Sequence, residues 1–395
     1  MKRSALDALV REQEGISDLT REAIEGLQLK KLNCLLRREK ERGGFYKNLP
    51  ERINSLSELS CLPFTTEEDL KKQGHRMVLL SQSQVERIRT EETSGTTGHA
   101  KRVYYSSADN ERTVSFFSAG LSELVYPGEK TMICMPFSGS GGLGELIAEA
   151  IRRLEAVPLA VGIGKTYREL LDVMDREKPE TFVGMPVPLL SLLRLRESSS
   201  LKRALISADA CPEGITVEIE RRLGSRLYPH YGSRETGLGG AVTCPAFSGM
   251  HLRENDIIPE IVGPSGKPLL RGQWGELVIT TIQADAMPLI RYRTGDYTRL
   301  MPEECLCGSS VSRLDRVVRL GEQSRMSELD SLVFGIPEIV DYRAGKKDGC
   351  LYLEGYVTED CGKLPEELLG YPVYWNLRCV TPEDRPCYVA KRSIL

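Results

Sequence analysis

The sequence predicts an α/β protein: a large N-terminal domain with βαβα sheet layers and a small β-barrel-like region, followed by a small α+β C-terminal domain. Three observations carry this. At 395 residues the chain exceeds one compact core, so a large domain plus a smaller one is expected. Between residues 130 and 232 short apolar runs alternate with helix-like stretches. After Tyr231 the runs shorten and turn signals multiply.

From Ile16 to Arg42, Leu19, Ile24, Leu27, Leu32, Leu35 and Leu36 recur at helical spacing, and Gly43-Gly44 stops the pattern. KTMICMPF, AVPLAV, TFVGMP, RALISAD and RLYPHYG read as buried strands, separated by helix-like ELIAEAIRRL and TYRELLDVMDREK. That alternation implies a largely parallel sheet with helices on its faces. IIPEIV and GELVITT, separated by GPSG and RGQWG, read as hairpins or a small barrel. LDSLVF, CLYLEGYV and YWNLRCV read as the strand-like pieces of the last domain. The expected domains are 1–310 and 311–395.

Composition narrows the function classes. Hydrophobic residues are 41% and charged residues 28%, ordinary for a folded chain. Lys and Arg total 53 against 56 Asp and Glu, and a net charge of -3 gives no global field for nucleic acid. The start MKRSALDALVREQEG is interrupted by Asp7 and Arg11 and lacks a signal peptide's apolar region. No uncharged apolar run approaches the roughly 18 residues of a membrane span. A cytoplasmic protein without nucleic-acid or membrane partners is expected, its eleven cysteines reduced and any clustered ones suggesting metal. A homodimer is left open.

The strongest motif is Thr93-Ser94-Gly95-Thr96-Thr97-Gly98-His99-Ala100-Lys101, ahead of the strand-like RVYYSS. Two glycines allow a tight loop whose backbone N–H groups converge on phosphate oxygens; four hydroxyls add donors and Lys101 adds charge. It is not a Walker loop, because Ala100 precedes Lys101; Gly162-Ile163-Gly164-Lys165-Thr166 also fails, with Leu159 in place of the first Gly.

TSGTTG followed by Lys resembles the phosphate loop of the adenylate-forming superfamily, and further motifs follow in order. Leu62-Pro63-Phe64-Thr65-Thr66-Glu67-Glu68-Asp69-Leu70 is similar to a segment typical of the phenylacetate-CoA ligase branch. Tyr231-Gly232-Ser233-Arg234-Glu235-Thr236-Gly237 resembles YGxTE, which implies Tyr231 beside adenine and Glu235 helping to hold Mg²⁺. Ala286 through Asp296, AMPLIRYRTGD, resembles the segment in which the Asp accepts both ribose hydroxyls. Ser207-Ala208-Asp209-Ala210-Cys211-Pro212 stands in place of an adenine-contact stretch, implying Ala208 and Asp209 as contacts, and Gly141-Gly142-Leu143-Gly144 resembles GGLG near an acyl pocket. Phe137, Tyr228 and His230 are the nearest pocket candidates.

Ser312-Arg313-Leu314-Asp315-Arg316-Val317-Val318-Arg319 is similar to the hinge GRxDxxVK, which implies Arg313 at the nucleotide and Asp315 as pivot of a mobile lid. Pro386 to Arg392 resembles the closing segment whose Lys grips the carboxylate and α-phosphate, but that position holds Val389. An apolar side chain cannot offset charge building on the phosphorus. Lys391, two residues on and on the same side of a strand, is the replacement candidate.

Cys244, His251, Cys305 and Cys307 flank IRYRTGD as Cys-x6-His and Cys-x-Cys, the ligand types of a closed four-coordinate Zn²⁺ site. The resemblance thus implies activation of a carboxylic acid by ATP as its acyl-AMP with Mg²⁺, then transfer to CoA. A carrier protein or amine as acceptor, and a degenerate nucleotide-binding homologue, are the alternatives.

Overall fold

In the computed structural model, residues 3–91, 101–196, 198–319, 322–379 and 394 are described. The strands Lys130–Ile133, Val157–Ala160, Thr181–Gly184 and Arg203–Ile206 lie parallel, with Val157–Ala160 at one edge and Lys130–Ile133, Thr181–Gly184 and Arg203–Ile206 following in space. Tyr228 and Pro229 continue the parallel order beside Leu205 and Ile206. Every residue of Thr181–Gly184 is buried, as a strand covered on both faces requires. The connecting helices Leu143–Arg153, Tyr167–Glu177, Pro186–Leu195 and Glu213–Leu223 supply that cover. Local chemistry sets their ends: Thr166 and Glu169 form a capping box at one start, and Pro186 opens another at its first turn.

The chain divides into two compact units. The unit holding the parallel strands comprises Leu124–Ser138, Gly142–Pro229 and the residues from Arg319 onward. Its last part is the expected α+β arrangement: the helix Glu322–Val333 and a sheet of Ile339–Lys347, Cys350–Val357, Tyr371–Arg378 and Glu367–Leu368. LDSLVF corrects the sequence reading, because Leu329 to Val333 end the helix instead of forming a strand. Met326, Leu329 and Val333 are buried at three- and four-residue spacing, so helical period prevails there over strand-like composition. These residues share one apolar core with Leu190 and Leu193, and Arg194 donates to the carbonyls of Phe334 (2.6 Å), Ile336 (3.1 Å) and Ile339.

The other unit comprises the residues up to Glu123, Gly139–Gly141 and His230–Val318, so the expected boundary between residues 310 and 311 lies inside it. The helices Ala5–Glu14 and Arg21–Arg42 form its N-terminal part, the second ending at Gly43 with φ 69°, the stop its sequence signals. His230 and Tyr231 pair antiparallel with Ala241–Thr243, which pairs with Met250–Leu252 and that in turn with Arg313–Leu314. Ile257–Val262, Gly275–Thr281 and Tyr292–Thr298 form an antiparallel meander. Among the described residues no helix is long and apolar enough to cross a membrane.

Candidate functional site

The phosphate-loop residues Thr93, Ser94, Gly95, Thr96, Thr97 and Gly98 lie outside the described residues, as do Val389 and Lys391. Lys101 begins the strand Lys101–Tyr105 and points inward, its side chain 7% exposed. Its Nζ lies 2.8 Å from Oε1 of Glu235, whose side chain is 6% exposed. The Tyr292 hydroxyl donates to that same Oε1 at 3.3 Å. Thus a residue next to the phosphate loop, one from YGSRET and one from IRYRTGD converge on a single carboxylate oxygen.

The turn carrying Glu235 is tightly built. A Cβ on Gly232 would lie 2.0 Å from the Leu238 carbonyl oxygen, so only glycine fits. The Ser233 amide donates to Thr236 Oγ1 (2.8 Å), Thr236 Oγ1 donates back to the Ser233 carbonyl (3.0 Å), and the Tyr105 hydroxyl donates to the Arg234 carbonyl. Tyr231, just before the turn, donates its hydroxyl to Asp296 Oδ2 at 2.8 Å, while the Asp296 amide is held by Thr294 Oγ1 at 3.0 Å. Both Tyr231 and Asp296 are buried.

IRYRTGD is clamped by the upstream LPFTT segment. The Thr65 amide donates to the Arg291 carbonyl (3.0 Å) and the Arg293 amide to the Thr65 carbonyl (2.9 Å), while Thr65 Oγ1 donates to the Ile290 carbonyl (2.6 Å). Arg291 is fully buried. Its guanidinium makes a two-pronged contact with Glu260 (2.9 and 3.0 Å), donates to the Ser60 and Leu62 carbonyls, and lies 4.1 Å over Phe64. The role of this motif arginine is therefore to hold the segment in place.

Arg313 is buried, with its guanidinium donating to the Ser248 carbonyl and hydroxyl and the Glu303 carbonyl. Asp315 pairs with Arg299 at 2.7 Å. Ala208 and Asp209 belong to the unit with the parallel strands; Ala208 has φ 70°, and Asp209 Oδ1 accepts from the Ala210 amide at 2.9 Å. Phe137 packs where a Cβ on Gly144 would lie 2.7 Å from its ring. His230 sits 5.9 and 5.7 Å from the rings of Phe116 and Phe117, and burial pulls its imidazole down to about 4, so it is neutral.

Sequence reasoning missed Asp109. It caps the helix Ser107–Leu121 in a box with Ser106 and also accepts from the Asp285 (2.8 Å) and Ala286 (3.0 Å) amides, fixing the start of AMPLIRYRTGD. Ser106-x-x-Asp109 is a readable capping signature; its second task is not.

Cys244, His251, Cys305 and Cys307 do come together: their ligand atoms lie within 4.8 Å of one another and all four are buried. Cys244 and Cys305 Sγ are 3.7 Å apart, and Cys307 Sγ lies 3.5 Å from His251 Nε2. Tetrahedral Zn–S bonds of about 2.3 Å place two sulfurs roughly 3.7 Å apart, so the set fits. His251 Nδ1 is 3.1 Å from the Val311 carbonyl, a contact that makes Nδ1 the donor and turns the Nε2 lone pair toward the thiols. Burial pushes the Cys244 thiol up, and Cys307 and Cys305 add to this.

Residues 92–284 match the family pattern described as AMP-binding enzyme. The phenylacetate-coenzyme A ligase of Thermus thermophilus is 29% identical over 357 residues, covering 84% of this chain and 79% of that protein. The Escherichia coli enzyme of the same name is 29% identical over 314 residues, covering 74% and 70%. A solved 2-hydroxyisobutyryl-CoA ligase in its postadenylation state, in complex with 2-HIB-AMP, shares the fold at a TM-score of 0.76 and 18% identity, covering 91% of this chain and 86% of that one. With motifs met in order and the AMP-binding match, the chain is similar to the adenylate-forming enzymes, and among them to the phenylacetate-coenzyme A ligases.

Proposed function

We propose that the protein is an AMP-forming acid:CoA ligase. A carboxylate oxygen of the acid attacks the α-phosphorus of ATP; the bond to the bridging oxygen breaks and pyrophosphate leaves with the electron pair. The sulfur of CoA then attacks the acyl carbon, the acyl–phosphate C–O bond breaks, AMP departs and the thiol proton is lost. The observation that carries this reading is the convergence of Lys101, Tyr292 and Glu235 beside the Tyr231–Asp296 pair.

Each residue has a task on this reading. Asp296, an acceptor-only carboxylate positioned by Tyr231, receives the ribose hydroxyls. Lys101 and Tyr292 both engage Oε1 of Glu235, so among the described residues its Oε2 is left for a metal ligand role. When bound there, Mg²⁺ would supply charge neutralisation to the phosphates. Asp315 serves as pivot of a lid in the last part of the chain, and Lys391 replaces the family's lysine at the α-phosphate. Cys244, His251, Cys305 and Cys307 would hold a structural Zn²⁺, which would tie the segments on either side of IRYRTGD. The buried, reduced thiols of that set favour a cytoplasmic setting.

The amine- and carrier-protein alternatives differ only in the second half, and the degenerate alternative rests on Val389. Pyrophosphate release with a panel of acids tests the first half. Lys391→Ala should slow it by roughly 10² to 10³. Val389→Lys should do little. If Lys391→Ala is silent and Val389→Lys gives a large gain, the replacement idea fails; if no acid releases pyrophosphate from the parent, catalysis fails with it. Elemental analysis of protein purified without chelator, finding no zinc, removes the metal assignment.

A further inference from the structure

We infer that Arg253, a residue no motif singles out, binds the pyrophosphate end of the nucleotide in the cleft beneath the Glu235 turn; this rests on the proposed adenylation. The cleft is lined by Tyr104, Arg112, Arg234, Glu235, Gly237 and Arg253, among others. Arg253 sits on its wall with a side chain only 8% exposed. Its backbone amide donates to the Gly240 carbonyl at 2.9 Å, tying it to the end of the turn. Its guanidinium reaches under the turn: a Cβ on Gly237, which has φ 68°, would lie 3.7 Å from Nη2. Asp256 neutralises the charge at 2.5 Å from Nε. Nη1 is buried and has no hydrogen-bond acceptor among the described residues. A buried donor in that state is costly, and an acceptor brought to it relieves that cost.

Charge identifies the acceptor's class. Arg112 pairs with Asp109, Arg253 with Asp256, and Glu235 with Lys101. Those three pairs offset one another and Arg234 adds a further guanidinium to the lining, so the cleft suits an anion. An anion that arrives with its own divalent cation, shared with Glu235, offers oxygens to Nη1. Magnesium pyrophosphate has that chemistry; the carboxylate of the acid substrate does not.

The experiment is calorimetric titration of the full chain with inorganic pyrophosphate plus Mg²⁺, and separately with AMP. Arg253→Gln should weaken pyrophosphate by about tenfold to a hundredfold while AMP binding stays near the parent's. Arg253→Lys, which keeps the charge but loses the fork, should fall between. Unchanged pyrophosphate affinity, or equal losses for pyrophosphate and AMP, overturns the inference, the second outcome marking a merely structural arginine. A loss confined to carboxylic acids overturns it in favour of an acid site. If Arg253→Gln does not fold, hydrogen exchange on the parent decides: pyrophosphate should protect residues 234–237 and 253–257, and no protection overturns the assignment. A parent that binds AMP but not pyrophosphate sinks this inference alone; one that binds no AMP sinks the ligase reading as well.

Discussion

In the unit that carries Glu235, several buried charges come as opposite pairs: Lys101 with Glu235, Arg291 with Glu260, Arg253 with Asp256. In the unit with the parallel strands, the buried acids Asp330 and Asp341 accept from tyrosine hydroxyls. Asp341 accepts the Tyr167 hydroxyl at 3.1 Å and the Tyr342 amide at 2.7 Å; Asp330 accepts the Tyr342 hydroxyl at 2.7 Å. The difference teaches where chemistry can reside. A paired charge can be redirected toward an incoming ion, and removing one partner leaves the other stranded. Asp330 and Asp341, buried against tyrosines of one apolar core, fix packing instead.

The largest effect that tests this contrast is on Lys101. Lys101→Met should strand the buried Glu235 carboxylate, costing roughly 3–5 kcal/mol of stability and slowing acyl-AMP formation by roughly 10² to 10³. Denaturant unfolding and pyrophosphate release read the two effects, and parent-like values for both would dissolve the distinction. Next, Asp296→Ala should weaken ATP by roughly 1.5–3 kcal/mol for each charge-assisted hydrogen bond lost. An unchanged affinity by calorimetry removes Asp296 from the ribose.

Glu39 departs from this pairing. It is fully buried, neither carboxylate oxygen has a hydrogen-bond partner among the described residues, and burial raises its pKa from 4.5 to about 7 against the pull of Arg38 and Arg42. Between those values the folded chain holds a proton that the unfolded chain releases, so stability is greatest below the window and falls as pH rises through it. Glu39→Gln should abolish that slope, worth on the order of 1–3 kcal/mol, as thermal melts across the range would register. A slope that survives assigns the pH dependence elsewhere. The smallest effect belongs to the other unit: Tyr167→Phe should cost about 0.5–1.5 kcal/mol and leave turnover untouched. A rate change there would give the neutral network a catalytic role and break the comparison.

Much of the site was legible because its chemistry is scarce. Tyr231, Glu235 and Asp296 stand in short motifs whose glycines and acceptors have few other uses, and three thiols and a histidine bracket the last of them. Arg253 and Asp109 were not legible, because an Arg with an Asp three residues on, or a Ser with an Asp three residues on, reads as local pairing or capping. What each reaches across the fold depends on contacts no local window contains. Arg291 was legible as a motif member, but its actual partners, Glu260 and the Ser60 and Leu62 carbonyls, were not. LDSLVF failed for a simpler reason: branched and apolar residues in a short run satisfy both periods, and burial against Leu190 and Leu193 chose the helical one.

The Thr65 clamp also bears on biosynthesis. Thr65 and Ile290, joined by a side-chain hydrogen bond, are 225 residues apart. On a ribosome adding roughly 5–20 residues per second, the N-terminal segment waits on the order of ten seconds or longer before its partner emerges. Through that interval Tyr46, whose hydroxyl meets both Thr65 and the Ile290 amide, and the apolar faces around it have no finished core to enter. The nascent chain is therefore a natural client for chaperones, and its folding yield in cells should respond to translation speed between these two points.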